Sequence, residues 1–441
     1  MIWIHGGAWL GGSNHHLFYG PEYLLDHDIV LVAINYRVGP LGFMSSETLD
    51  CPGNFGLKDQ VEALRWVRQH ISSFGGNPNS VTIFGESAGG ASVGYLLQSD
   101  KSRGLFHKAI QQSGTIFNSW SYPLHKGAAQ NRALKMARIF HCDNEEQDWK
   151  KIISCLKNVD GIELTRKAKE FVEWNGFPYF AFQPVVEPSH EQAFLDKRPR
   201  EVSLNSLDIP ILTGVTSGEG IISSSALLSK ENLLNEVKSD FENKFPLMLS
   251  YDHWDKKKQS EITKALLDFY LKNGHDYSKL NHQNFTDMFS DSMFLSGFDE
   301  FLVKRLNEEA APTYVYVFDF NSSSSLSKVV SGSDFNFGVC HGNDLPMFFP
   351  IHNIPFLGFE KCDNENCLIL RNALTEMWVN FAVFGNPTPD NKWKPARKYP
   401  WNYAHLGGID GNGFYVLKNE EGYANDRFNF WKDLKPHIEN E

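Results

Sequence analysis

A serine with glycines two residues to either side, Gly85-Glu86-Ser87-Ala88-Gly89, follows the apolar run Val81-Thr82-Ile83-Phe84 and precedes the helix-compatible segment 90–98. A strand that turns directly into a helix holds the intervening serine on a sharp bend with its hydroxyl exposed. The glycines let neighbouring backbone pass close to that serine, at angles a β-carbon would obstruct. The five-residue pattern alone arises readily by chance; the strand before it and the helix after it make it specific. The arrangement predicts acyl chemistry on a serine.

The first half of the chain alternates strand-like and helix-like segments. Residues 1–4, 29–36, 81–84 and 108–112 read as strands, and 127–140 as a helix. Residues 57–71 place Leu57, Val61, Leu64, Arg68 and Ile71 at helical spacing. Later, 209–214 and 314–320 read as buried strands, 371–384 as a long amphipathic helix and 413–417 as a final strand. Near-continuous apolar strands separated by helices predict an α/β fold, a mostly parallel twisted sheet covered on both faces. Residues 223–300 are rich in Lys, Glu, Asp and Asn and show no convincing strand. They read as a helical excursion, either walling a substrate pocket or decorating the surface.

Composition narrows the function classes. With 41% hydrophobic and 14% aromatic residues the chain is of the folded, globular type. A net charge of −11 without any basic run argues against a nucleic-acid partner. The longest apolar stretches, such as 29–34, are too short to span a bilayer. The polar C-terminus carries no lipidation or ER-retention signal. Because Met1-Ile2-Trp3-Ile4 already reads as a buried strand, the chain is expected to begin mid-fold, with any secretory leader upstream. Two glycosylation sequons, at Asn284 and Asn321, fit a secretory route. None of the six cysteines shows the paired spacing of a zinc site, so no metal is expected.

An activated serine needs a base, and the base needs an orienting acid. On hydrolase sheets these follow in the order Ser, acid, His. Glu219 lies just beyond the carboxyl end of the strand 209–214, where such sites form, whereas Asp208 precedes that strand. Glu219 is therefore the expected acid. Seven histidines follow it: His253, His275, His282, His341, His352, His405 and His437. His341 stands out, in a loop of small residues after the strand 314–320, but pattern alone leaves the base open. The tetrahedral intermediate needs backbone donors. Ala88, after the nucleophile, supplies one N–H, and the loop His5-Gly6-Gly7-Ala8-Trp9, directly after the first strand, has the form to supply others.

With these pieces assembled, the chain resembles the type-B carboxylesterase/cholinesterase family of α/β hydrolases, and most of all its insect carboxylesterases. The motifs run nearly end to end: Trp3-Ile4-His5-Gly6-Gly7-Ala8-Trp9, Asn35-Tyr36-Arg37, Gly53-Asn54-Phe55-Gly56-Leu57-Lys58-Asp59-Gln60, Phe74-Gly75-Gly76-Asn77-Pro78, the serine pentapeptide, Gln112-Ser113-Gly114, Gly218-Glu219-Gly220, His341-Gly342-Asn343-Asp344 and Phe384-Gly385-Asn386-Pro387. The resemblance implies an α/β-hydrolase fold, with residues 1–441 as a single domain that lacks the family's N-terminal part and carries 223–300 as an insertion. It makes Ser87 the nucleophile, Glu219 the acid and His341 the base, and it places oxyanion donors at Gly7, Ala8 and Ala88. It also implies a Cys142–Cys155 disulfide. Without the family's first strands, the run 29–36 would be left as an open edge.

The resemblance implies a serine carboxylic-ester hydrolase for apolar or aryl esters, with a small-molecule ester as partner and no cofactor. Two neighbouring readings fit less well. Cholinesterases place cation-holding aromatics just after the catalytic Glu, where this chain has Ile222 and Ser223. Juvenile hormone esterases typically carry Gln before the serine, where this chain has Glu86. The alternatives are a slowly turning-over sequestering protein and an adhesion-type member; the latter predicts a lost triad residue, and all three are present. Trp120, Phe180, Phe182, Ile222 and Phe348 are candidate pocket residues. Glu86 is expected either to raise the pKa of His341 or to form a surface salt bridge.

Overall fold

The computed structural model describes residues 1–123, 125–204, 208–271, 281–308, 311–351 and 360–438. Its central sheet consists of β1 (Ile2–Ile4), β2 (Val32–Ile34), β3 (Thr82–Glu86), β4 (Lys108–Gln112), β5 (Ile211–Thr216), β6 (Thr313–Phe318), β7 (Asn402–Leu406) and β10 (Leu417–Glu421). The short β8 (Ile409–Asp410) and β9 (Gly413–Phe414) pair with each other in a separate hairpin. The sheet order is β10-β7-β6-β5-β4-β3-β1-β2, and every pairing is parallel except β10 with β7.

All residues of β3, β5 and β6 are buried, and alternate side chains enter two different cores. Ile83 and Ile211 join one cluster, while Phe84 and Leu212 join the other. That alternation is what a sheet covered by helices on both faces requires. The helix Phe55–His70 turns Leu57, Val61, Leu64 and Val67 inward, at the spacing the sequence displays. The helix Ala88–Gln98 after the serine is buried along its whole length. Its small residues Ala88, Gly89, Gly90, Ala91 and Gly94 permit that close packing.

Between β5 and β6 the described residues form helices and turns, as expected for 223–300; His275 lies outside the described residues. The fit is poorer at the two sheet edges. β2 is shorter than 29–36 and, among the described residues, is paired on one side only, with β1. The expected strand 413–417 is not one strand: Gly413–Phe414 belongs to the hairpin, and Leu417 opens β10. β10 escapes a hydropathy reading because Leu417-Lys418-Asn419-Glu420-Glu421 lies at an edge and is largely solvated.

Cys142 and Cys155 form a disulfide, with Cα atoms 5.5 Å apart. A second one, not anticipated, joins Cys362 to Cys367, while Cys51 and Cys340 are free and buried. The two sequons differ in environment. Asn284 donates its amide to the Tyr270 carbonyl at 3.2 Å, and Thr286 of the same sequon is buried with its hydroxyl 2.7 Å from that of Ser224. Asn321 is exposed in a loop.

Candidate active site

Register brings the strand ends together. Ile4 pairs with Gly85, Glu86 with Gln112, Gln112 with Gly214, and Thr216 with Phe318. The loops after β1, β3 and β5 therefore leave the sheet along one edge, the carboxyl side of its parallel strands. Past β5, an isolated parallel bridge joins Gly218 to Cys340 and so sets Glu219 beside His341.

Ser87 stands at the turn from β3 into its helix with φ 58° and ψ −124°. A non-glycine residue in such a conformation stores on the order of 1–3 kcal/mol of strain. The surroundings enforce it: the Ser87 N–H donates to the Gln112 carbonyl at 2.8 Å, and its own carbonyl accepts from Ala91 at 2.9 Å. Gly89 is obligatory for packing, because a β-carbon there would strike the Ile4 carbonyl oxygen of β1. The helix begins at Ala88, so its positive end faces the serine.

The loop after β1 is equally constrained. Gly7 has φ +106°, and Ala8 and Trp9 follow at 57° and 55°. Leu10 and Gly11 both donate to the Gly7 carbonyl, at 3.0 and 3.1 Å, closing a tight turn. Tyr36 stacks on His5 at 4.4 Å and donates its hydroxyl to the His5 carbonyl at 2.7 Å. The Trp9 indole donates to Ser92 Oγ at 3.0 Å, tying the loop to the serine's helix. Among the described hydrogen bonds, none uses the N–H of Gly7, Ala8 or Ala88.

His341 is buried between two carboxylates. Its Nδ1 lies 2.6 Å from Glu219 Oε2, and Glu219 Oε1 accepts from the Thr216 N–H at 2.7 Å. Its Nε2 lies 3.0 Å from Glu86 Oε1. No described hydrogen bond joins that nitrogen to Ser87 Oγ, although Ser87 adjoins Glu86 in sequence. Burial lowers the affinity of the imidazole for a proton, but the facing Glu86 and Glu219 outweigh it and push its pKa up to about 9. Burial likewise pushes Glu86 up to about 8, against the pull of the imidazole. The two shifts concern one contact. A proton shared between Oε1 and Nε2 accounts for both shifts.

A match to the Carboxylesterase family covers residues 1–431. The chain belongs to the carboxylesterase family. Among its relatives, venom carboxylesterase-6 of Apis mellifera is 32% identical over an alignment covering 100% of this chain and 77% of that protein. The juvenile hormone esterase of Tribolium castaneum is 31% identical, covering 98% of this chain and 76% of that one. The crystal structure of juvenile hormone esterase from Manduca sexta, with OTFP covalently attached, superposes with a TM-score of 0.82 at 27% identity, covering 98% of this chain and 80% of that one. The protein is a carboxylic ester hydrolase of the α/β-hydrolase fold.

Behind the triad candidates, the carboxylesterase buries further polar groups. Asp344 Oδ2 accepts from Gln112 Nε2 at 2.8 Å and from the Tyr316 hydroxyl at 3.1 Å, and burial raises its pKa. Among the described residues no group of three or more His, Cys, Asp and Glu is placed to hold a metal ion. Phe294, which sequence reasoning missed, sets its ring 4.5 Å from the His341 ring. It lies on a π-helical turn, Asp291–Leu295, a local irregularity that helical periodicity does not reveal and that often marks functional sites.

The pocket candidates separate into two groups. Trp120 and Phe180 stack at 5.1 Å and line a cavity of about 290 Å³. Phe182 packs on Phe171 at 5.0 Å, and the fully buried Phe348 packs on Trp378 at 4.8 Å. Neither of these lines that cavity; both are core aromatics, as large apolar residues commonly are. Ile222 is half-buried at the start of the helix Ile221–Leu228 and does not line it either. Among the other histidines, His405 on β7 is held by Asp319 at 3.1 Å and Glu420 at 3.2 Å, far along the sheet order from β3. His352 and the side chain of His437 lie outside the described residues.

Proposed function

We propose that this carboxylesterase cleaves small apolar and aryl carboxylic esters through an acyl-enzyme on Ser87. Ser87 Oγ attacks the ester carbonyl while His341 Nε2 takes its proton. Glu219 fixes the tautomer by holding Nδ1–H and stabilises the imidazolium that forms. The N–H groups of Gly7, Ala8 and Ala88 receive the developing oxyanion, each worth about 3–4 kcal/mol in the transition state. His341 then protonates the leaving alcohol, and water repeats the sequence to release the acid. The observation that carries this reading is the strained Ser87 at the start of a helix, with N–H groups at Gly7, Ala8 and Ala88 that no hydrogen bond among the described residues uses, on a sheet edge where His341 is already held by Glu219.

Hydrolysis of p-nitrophenyl and naphthyl esters of graded acyl length tests it. Steady turnover after any initial burst is expected. A burst of one equivalent followed by no further release would instead make the protein a sequestering member of the family, and no reaction at all would fit an adhesion role.

Glu86 adds a pH dependence. His341 must have a free Nε2 to act as a base, so the proton between Nε2 and Oε1 must leave first. An ionised Glu86 disfavours that loss and places the acidic limb of kcat/KM at higher pH than for an unassisted imidazole. In Glu86→Gln the imidazole loses a facing charge and its pKa falls, so the acidic limb moves down by about one pH unit. A pH profile with an unmoved or raised limb overturns this role.

We further propose that the chain works in an oxidising secretory compartment, on the two disulfides and the exposed Asn321. Among the described residues no helix is long and apolar enough to cross a membrane. Thiol titration of the denatured protein should give two reactive cysteines before reduction, Cys51 and Cys340, and all six after it. Six before reduction would remove that argument.

A further inference from the structure

The cavity beside Trp120 shares a wall with the catalytic imidazole. Met293 and Trp120 line it, Phe294 follows Met293 on the π-helical turn, and the Trp120 and Phe294 rings meet edge-on at 6.0 Å. Phe294 in turn covers His341 at 4.5 Å. On another side Trp120 meets Trp9, 5.6 Å away on the loop that carries Gly7 and Ala8. The rings of Phe294 and Trp120 therefore form the layer between His341 and this cavity.

The far side of the cavity is not apolar. Besides Tyr179, its titratable lining groups are His125, Arg132, Lys135, Glu173, Asp252 and His253. Arg132 and Lys135 lie three residues apart on the helix Ala128–Ile139 and so share one of its faces. The Arg132 guanidinium is half-buried and donates to the neutral amide oxygen of Gln183 at 2.5 Å. Among the described residues no carboxylate lies within ion-pair distance of it, and the same holds for Lys135, whose ammonium sits over the Phe171 ring at 4.8 Å. Burial lowers the Arg132 pKa to about 10, which leaves it charged at neutral pH. Asp252, also on the lining, acts on Arg132 by charge without reaching ion-pair distance; burial raises its pKa and Arg132 pulls it back down. A half-buried guanidinium bound only to an amide retains donors and charge for a ligand, and its planar fork suits a carboxylate.

We infer that Arg132, seconded by Lys135, selects esters whose acyl arm ends in an anion, the half-esters of dicarboxylic acids being the simplest class. This rests on the acyl-enzyme reading above. The acyl arm is the appropriate one because it stays bonded to Ser87 between the two steps, while the alcohol must leave. A walled side cavity serves the arm that remains. The aromatic layer takes the methylene chain and the arginine takes the terminal carboxylate.

The test compares p-nitrophenyl half-esters of glutaric through sebacic acid with neutral p-nitrophenyl alkanoates of matched length. In Arg132→Gln, the ratio of kcat/KM for the best anionic ester over its neutral counterpart should fall by about tenfold, mostly through KM. Lys135→Gln should lower it by less, and Arg132→Glu should turn the preference toward ω-ammonium acyl esters. Adipate should inhibit the unaltered enzyme more strongly than hexanoate, a comparison that needs no variant to fold. An unchanged ratio, equal loss for both esters, or a native preference for the ω-ammonium ester overturns the inference. Failure of the unaltered enzyme to turn over either ester would instead overturn the acyl-enzyme reading.

Discussion

Ser87→Ala is expected to lower kcat/KM for p-nitrophenyl esters by about 10⁴- to 10⁶-fold while leaving the denaturation midpoint unchanged or slightly higher. At about 1.4 kcal/mol per decade, this corresponds to a loss of roughly 5.5–8 kcal/mol of transition-state stabilisation. On the proposed acyl-enzyme route the loss is that large because the three groups would act as a unit. Without Oγ, the proton acceptor on His341 and the Glu219 contact at 2.6 Å have nothing to activate. A residual rate over water should remain from the Gly7, Ala8 and Ala88 donors, which the substitution leaves in place. Stability is not expected to fall, because the side chain of Ser87 makes no described hydrogen bond, whereas its backbone bonds to Gln112 and Ala91 do not depend on Oγ. A fluorophosphonate probe should label the native protein at Ser87 and leave the variant unlabelled. Undiminished turnover in the variant, or labelling at another serine, would assign the nucleophile elsewhere.

What the sequence displayed and what it concealed follow from the range of the interactions. The serine turn is a local object: strand, bend and helix lie within about twenty residues, and glycine spacing is the physical requirement itself. The placement of Glu219 was legible because it follows the carboxyl end of a buried strand, and β5 does run on to Thr216. The pairing of Glu219 with His341 was not readable from pattern. It depends on the Gly218–Cys340 bridge, which joins segments more than a hundred residues apart, and only the family resemblance singled it out. The contact from Glu86 to Nε2 was legible only as one of two options, since a glutamate beside a serine gives no sign of being buried. Phe348 and Phe294 err in opposite directions for one reason: an aromatic in sequence shows its size and not which wall it joins. β10 stayed hidden because an edge strand that faces water needs no apolar pattern.

The second large effect should come from a position with no chemistry of its own. In Gly89→Ala the added methyl meets the Ile4 carbonyl oxygen, a backbone atom held on both sides by β2 and β3, so no side chain can rotate away to relieve it. Either β1 or the serine's helix must shift. Overpacking of this kind costs on the order of 3 kcal/mol, and a displacement of Ser87 by about 1 Å against its oxyanion donors costs about 10²-fold in rate. Denaturant midpoint and kcat/KM should therefore fall together. Gly11→Ala supplies the control within the same site: a β-carbon there meets nothing within 4 Å, and its N–H to the Gly7 carbonyl survives. It should change stability by less than about 0.5 kcal/mol. If both glycines tolerate the methyl, the close approach of β1 to the helix does not constrain the serine turn. If both fail alike, the loop is sensitive to any added bulk and Gly89 is not special. Only the split between them ties the strain at Ser87 to the packing beneath it, and through that packing to the rate.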